Sequence, residues 1–334
     1  MKIGILAITD GGRKLVADLS AKMPEALVLP QEHGVAQTLA QHWQEMDGFV
    51  CIMATGIVVR ALAPLLQGKE HDPCVVVVDE KGRHAVSLLS GHLGGGNDLA
   101  RQVATMLGGE AVITTASDTL GLVALDLWAR AQDLVCESKE GLTQASARLV
   151  NRGILKIYSE VAVASLPHGL VQVVGPKQAD IVVSPGLNDY GAAVVFRPKN
   201  LVVGVGCNRG VPIAELRQAC EELFVEQGLS QMSIRNLASI DLKQDEAGLL
   251  AFAEEQGWRI DFFSKEELNR VENVTVSEAA LRNIGAIGVA EPAALLSAQS
   301  NDLLVGKRKW HNVTMAVARA NCTLSEQDRA RQDI

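Results

Sequence analysis

The segment Ser90-Gly91-His92-Leu93-Gly94-Gly95-Gly96-Asn97-Asp98 carries the densest chemistry in the chain. An imidazole set among glycines can move a proton near neutral pH. Gly91, Gly94, Gly95 and Gly96 lack a Cβ, so backbone amides there can approach a ligand closely, with Ser90 at the mouth. Asn97 or Asp98 can cap a following helix, whose N-terminus favours anions. The segment reads as a carboxylate-binding loop with His92 as its acid or base. The plain alternative is a flexible turn around a structural histidine. Two more segments have the same strand-to-helix setting. In Ala54-Thr55-Gly56-Ile57-Val58-Val59-Arg60, Thr55 and Gly56 form the turn. Arg60 then either clamps a carboxylate bidentately or is a solvated helix arginine. In Thr114-Thr115-Ala116-Ser117-Asp118, the side chains of Thr115, Ser117 and Asp118 form either a polar binding lip beside the glycine loop or an ordinary N-cap.

The second half offers a comparable set. Gly204-Val205-Gly206-Cys207-Asn208-Arg209-Gly210 is a near miss to the dinucleotide fingerprint, one residue too long before its third glycine. Gly206 and Arg209 at that turn still suit an anion. Cys207 is a weak candidate nucleophile, since no histidine is near it in sequence and free cysteine is usually buried and apolar. Ser239, Asp241 and Lys243 cluster at a strand end, Glu291 opens a helix before Pro292, and Lys307-Arg308-Lys309 is a short basic run. Asp241 and Glu291 are alternatives to His92 as the catalytic base. The chain has no phosphate-binding G-x-x-x-x-G-K-[ST], no G-x-S-x-G elbow and no H-E-x-x-H.

Positioning these residues requires strands that end where helices begin. Short β-branched runs alternate with amphipathic stretches over residues 1–132, and Val75–Val78 reads as a strand buried on both faces. The expected class is α/β: two α/β domains with mainly parallel sheets, at 1–132 and 200–320, joined by a small α+β middle domain at 133–199. Residues 321–334 read as a polar tail. Helices are expected over Glu32–Glu45 and Thr119–Arg130, and Ser264 with Glu267 spells a capping box.

Composition sets outer bounds. The chain has 334 residues, 48% of them hydrophobic and only 4% aromatic, so the core must be built from Val, Leu, Ile and Ala. A net charge of −8 argues against nucleic acid as a partner, while a polycarboxylate can still be held by local cations. No apolar run has the length of a membrane span. The six cysteines form no C-x-x-C pair, which points away from a metal cluster or disulfide framework and towards a reducing cytoplasmic setting.

Taken in order, these motifs resemble the CbiG family. The resemblance rests on Ala54–Arg60, Leu89–Asn97 and Ile113–Asp118 in the first half. In the second it rests on Gly204–Gly210, Leu237–Lys243, Phe262–Leu268 and Val289–Leu295. It covers nearly the whole chain and leaves out only the residues after Arg319. The resemblance implies a cobalt-precorrin-5A hydrolase of anaerobic cobalamin (vitamin B12) synthesis. Such an enzyme opens the δ-lactone of a ring-contracted cobalt tetrapyrrole and releases acetaldehyde, giving cobalt-precorrin-5B. It implies no cofactor of the protein's own, because cobalt arrives in the substrate. Arg60, Arg209 and Lys243 would then hold peripheral carboxylates of that anionic tetrapyrrole. It is compatible with a homodimer and with transient contacts to neighbouring pathway enzymes. The alternative is a non-catalytic carrier of a tetrapyrrole intermediate.

Overall fold

The structure, a computed structural model, describes residues 1–326 apart from 32, 69, 70, 93 and 192. The expected helix start at Glu32, Leu93 of the glycine loop and residues 327–334 of the expected tail lie outside the described residues. The chain divides into two compact units, Met1–Leu127 and Trp128–Ile334.

The first unit runs β1 (Ile3–Ala7), α1 (Asp10–Lys22), β2 (Leu27–Val28), α2 (Val35–His42), β3 (Gly48–Ile52) and α3 (Thr55–Leu62). It continues with β4 (Cys74–Val78), β5 (His84–Leu89), α4 (Gly96–Leu107), β6 (Glu110–Val112) and α5 (Ala116–Thr119). The strands form one sheet in the order β2-β1-β3-β4-β5-β6. In β4, Val76 and Val78 pack with Leu19 of α1 and Val103 of α4, while Val75 and Val77 pack with Leu39 of α2 and Leu62 of α3. Successive side chains thus feed opposite cores, as a strand covered on both faces requires.

All neighbours in this sheet are parallel except β4 and β5. That single reversal puts the carboxyl ends of β1, β3 and β4 at one edge and those of β5 and β6 at the other. The length of β4 separates the two edges by ~13 Å, at ~3.3 Å per residue. The sequence had suggested one helix over 119–130; the structure has α5 and then α6 (Leu125–Ala131), which crosses the division between the units. Gly121 between them takes a φ of +64°, a conformation that stops a right-handed helix.

The second unit holds two five-stranded sheets. Its earlier part comprises β7 (Leu134–Cys136), α7 (Lys139–Arg152), β8 (Leu155–Ser159), β9 (Ala162–Val163), β10 (Leu170–Gln172), β11 (Ile181–Val183) and β12 (Val194–Pro198). The order β10-β8-β11-β12-β7 is parallel except for edge strand β7. The middle segment is therefore more regularly α/β than its sequence suggested. The later part comprises β13 (Leu201–Cys207), α8 (Ile213–Glu226), β14 (Ile234–Ile240), α9 (Ala247–Gln256), β15 (Ile260–Phe263) and α10 (Lys265–Leu268). It ends with α11 (Glu278–Ile284), α12 (Ala290–Ala298), β16 (Leu303–Lys309), β17 (Val313–Arg319) and β18 (Thr323–Leu324). Here the order is β15-β14-β13-β17-β16, with β13 to β15 parallel and β16 and β17 antiparallel. The capping box forms at Ser264 and Glu267 as the spacing predicts.

The segment expected to be a polar tail begins with structure. β18 pairs with β9, and Leu324 is fully buried. Trp128 Nε1 donates to Ser325 O at 2.9 Å, and Ser325 N donates to Gln132 Oε1 at 2.9 Å. A leucine at the fourth position of the polar stretch is its sequence trace.

Candidate active site

β5 and β6 run parallel, so the loops that leave their carboxyl ends meet. The first carries His92 and the second Ser117 and Asp118. His92 Nε2 lies 2.7 Å from Asp118 Oδ2 and 3.2 Å from Ser117 Oγ. Asn97, in the first turn of α4, donates from Nδ2 to Asp118 Oδ2 at 2.9 Å and to Thr115 Oγ1 at 3.1 Å. Arg101, one turn on, donates from Nη2 to Asp118 Oδ1 at 2.6 Å and from Nη1 to Asp98 Oδ1 at 2.8 Å. Asp118 is thus held by three side chains. Burial pushes its carboxyl pKa up, but hydrogen bonds and charge from Arg101 and His92 outweigh that and hold it below the ordinary aspartate range. His92 and Asp118 side chains are each 20% exposed, so the pair is sheltered yet reachable.

The glycine loop differs from expectation in what its amides do. Gly95 N donates to His92 O, Gly96 N to Ser90 O, and Asn97 N to Gly91 O. These groups fold the loop on itself and are not presented to a ligand. The N-cap of α4 is Gly95, left-handed at φ +77°, with no capping side chain. Asn97, offered by the sequence as a cap, is instead 4% exposed and committed to Asp118 and Thr115. The other glycines answer close packing. A Cβ on Gly94 would lie 2.6 Å from Ser90 Cβ, one on Gly96 2.9 Å from Leu89 O, and one on Gly91 2.6 Å from Asn97 Oδ1. Ser90 takes φ +51°, rare for a residue with a side chain, and its Oγ donates to Asp72 O at 2.9 Å. Thr115 stands at the N-cap of α5 without a side-chain cap bond; its hydroxyl serves Asn97.

Thr55, Gly56 and Arg60 do not join this constellation. They follow β3 and so lie at the opposite edge of the sheet. The Arg60 guanidinium folds back over the first turn of α3, 3.6 Å from the place a Gly56 Cβ would take. Among the described residues it makes no hydrogen bond or ion pair.

The candidates of the second unit gather at the carboxyl ends of β13 and β14, but most are already engaged. Arg209 donates to Asp245 Oδ1 at 2.5 Å and to Leu242 O at 2.9 Å. Lys243 pairs at 3.1 Å with Glu246, a carboxylate only 3% exposed that also accepts from Gly210 N at 2.8 Å. Ser239 is fully buried and donates to Val205 O at 2.7 Å. Glu291 is buried and accepts backbone amides from Thr275 at 2.5 Å and Lys307 at 2.7 Å. Its carboxylate stitches two segments together and is turned away from solvent. Asp241 is exposed and its carboxylate has no partner among the described residues. Gly204 and Gly206 of the near-fingerprint serve packing: a Cβ on Gly204 would collide with Ala290 O of α12, and one on Gly206 would sit 2.6 Å from Thr314 Oγ1. Burial pushes the Cys207 thiol up to about 11, which leaves little thiolate at neutral pH.

Three side chains that engage the candidates are not singled out by the sequence: Arg101, Asp245 and Glu246. Two of them lie three or four residues from a named candidate, a spacing that by itself assigns no partner. Arg101 is four residues after Asn97 on one helix face, and Glu246 is three after Lys243. Among the described residues, no group of three or more His, Cys, Asp or Glu could hold a metal ion. None of their helices is long and apolar enough to cross a membrane.

The chain is built of two α/β units, the first with a histidine–aspartate pair at the loops leaving two parallel strands, an arrangement chemically suited to proton transfer. Residues 37–118 match the family model "Cobalamin synthesis G N-terminal", and residues 201–318 match "Cobalamin synthesis G C-terminus". The chain belongs to the CbiG family. A cobalt-precorrin-5A hydrolase of Priestia megaterium is 36% identical, covering 85% of this chain and 81% of that protein. A second one, from Salmonella typhimurium, is 32% identical over 95% of this chain and 97% of that protein. A solved structure described as a cobalamin biosynthesis protein G homolog from Sulfolobus solfataricus is 22% identical. It covers 96% of this chain and 97% of its own, with a TM-score of 0.38. The first matched region contains the whole His92 network.

Proposed function

We propose that this chain is a cobalt-precorrin-5A hydrolase, acting on a cobalt-bound tetrapyrrole that carries a δ-lactone, with His92 as the proton carrier. The observation that carries the reading is the pairing of His92 with a carboxylate that Arg101 helps to keep charged and that Asn97 holds in place. Lactone opening needs a base to take a proton from water as its oxygen bonds to the carbonyl carbon. The ring C–O bond then breaks, leaving a carboxylate and a hydroxyl. Removal of that hydroxyl's proton lets its oxygen form the C=O of acetaldehyde. The C–C bond to the macrocycle breaks in the same step, and its electron pair passes to the conjugated ring. Both steps ask one group to accept a proton, and His92 beside charged Asp118 is suited to both, giving up the first proton to solvent before it takes the second. Cobalt belongs to the substrate. Among the arginines and lysines named as carboxylate holders, Arg60 has no partner among the described residues, whereas Arg209 and Lys243 would have to exchange Asp245 and Glu246 for substrate.

The test is anaerobic incubation of the purified protein with cobalt-precorrin-5A, trapping acetaldehyde while following the macrocycle's mass. Catalytic acetaldehyde release with a matching mass loss supports the hydrolase. Tight binding of the intact lactone without release would overturn it in favour of a carrier.

A further inference from the structure

We infer that Asp118 is a positioning residue that fixes the His92 tautomer, so that the nitrogen that takes the substrate's proton is Nδ1. The argument is one of donors and acceptors. Asp118 Oδ2 receives Asn97 Nδ2 and faces His92 Nε2 at 2.7 Å, while Oδ1 receives Arg101. An ionised carboxylate only accepts. At that distance a lone pair on Nε2 would oppose a lone pair on Oδ2, so Nε2 carries the proton and donates it. Ser117 Oγ, 3.2 Å from the same nitrogen, is placed to accept as well. In a neutral imidazole the other nitrogen then holds the lone pair. Nδ1 has no hydrogen bond among the described residues and is the one basic atom the ring can offer. When it takes a proton, the imidazolium forms against the Asp118 charge and is stabilised there. Arg101 acts one step further back, by keeping Asp118 charged and its Oδ2 turned to the ring.

Arg101 also decides what an amide would do in place of the carboxylate. In Asp118→Asn the charged guanidinium claims the amide oxygen, which leaves the NH2 facing Nε2 and Asn97, whose unpartnered Oδ1 then turns to accept from it. The ring must then accept at Nε2 and carry its proton on Nδ1, with no lone pair for substrate. The experiment is 15N NMR of the imidazoles in the full-length protein without substrate, the His92 signals assigned by their loss in His92→Ala. The expected spectrum has the proton on Nε2 in the unmodified protein and on Nδ1 in Asp118→Asn. In the kinetic arm, kcat of Asp118→Asn falls by at least ~100-fold with KM little changed, the scale of a lost general base. A proton on Nδ1 in the unmodified protein overturns the inference. So does an Asp118→Asn variant with unaltered kcat. The kinetic arm rests on the hydrolase reading, whereas the spectrum does not. Failure of the unmodified protein to release acetaldehyde would therefore count against that reading alone, and the spectrum would still decide the tautomer.

Discussion

A histidine is useful as a base only where its surroundings fix which nitrogen is free, and at His92 that task falls to Asp118, Asn97 and Arg101. Replacing His92 with alanine should cut acetaldehyde release by ~100-fold or more, with thermal unfolding little changed, because the ring is partly exposed and lies outside both cores. Turnover near that of the unmodified protein would remove His92 from the reaction. Asp118 makes a second expectation, for acid. Its folded pKa lies below the ordinary 3.8, so the network's contribution to stability is complete above that value and is lost as pH falls through the folded pKa. Melting temperatures followed below pH 4 should therefore fall more steeply for the unmodified protein than for Asp118→Asn, which has no such carboxyl to protonate. Parallel slopes would refute this. His92 and Asp118 were legible in sequence because each sits among residues that end strands and open helices. Arg101 was not, since on α4 it looks like one more solvated arginine, and only the parallel return of β6 beside β5 brings Asp118 to it.

At the scale of elements, the loop between β5 and α4 is held by packing more than by amide–ligand contacts. Gly91 is the tightest test. A methyl there would stand 2.6 Å from Asn97 Oδ1, an atom already buried without a partner. Gly91→Ala should push Asn97 off Asp118, costing ~1–3 kcal/mol of stability as an overpacked site and lowering turnover together with it. Denaturant unfolding and the acetaldehyde assay would measure the two, and a variant that keeps both intact would show the loop to be loose. The reversal between β4 and β5 was in the sequence, although alternation alone did not disclose it. Val75–Val78 states that a strand is covered on both faces and says nothing of its direction. The connection, residues 79–83, is the missing clue. It is too short for a crossover, which needs about a dozen residues, and can only fold back as a hairpin.

On the scale of the whole chain, the order of motifs was readable because each strand end keeps its own turn chemistry, and the matched regions 37–118 and 201–318 include most of them. The end of the chain reads as a polar tail because its fourteen residues hide one buried leucine. Truncation after Ala320 should lower the melting temperature. It exposes the Leu324 site, worth ~1.5–3 kcal/mol, and strips Trp128 Nε1 of its acceptor. An unchanged melting curve would mean that β18 adds nothing. The β4–β5 reversal has a practical sequel for handling this enzyme. A dye, bead or surface fastened at Thr55, on the exposed start of α3, would be anchored ~13 Å or more from the loops of His92 and Asp118. Within the first unit, such an attachment and the proton-transfer loops thus lie on opposite rims of one sheet, so the attachment leaves those loops' own rim untouched.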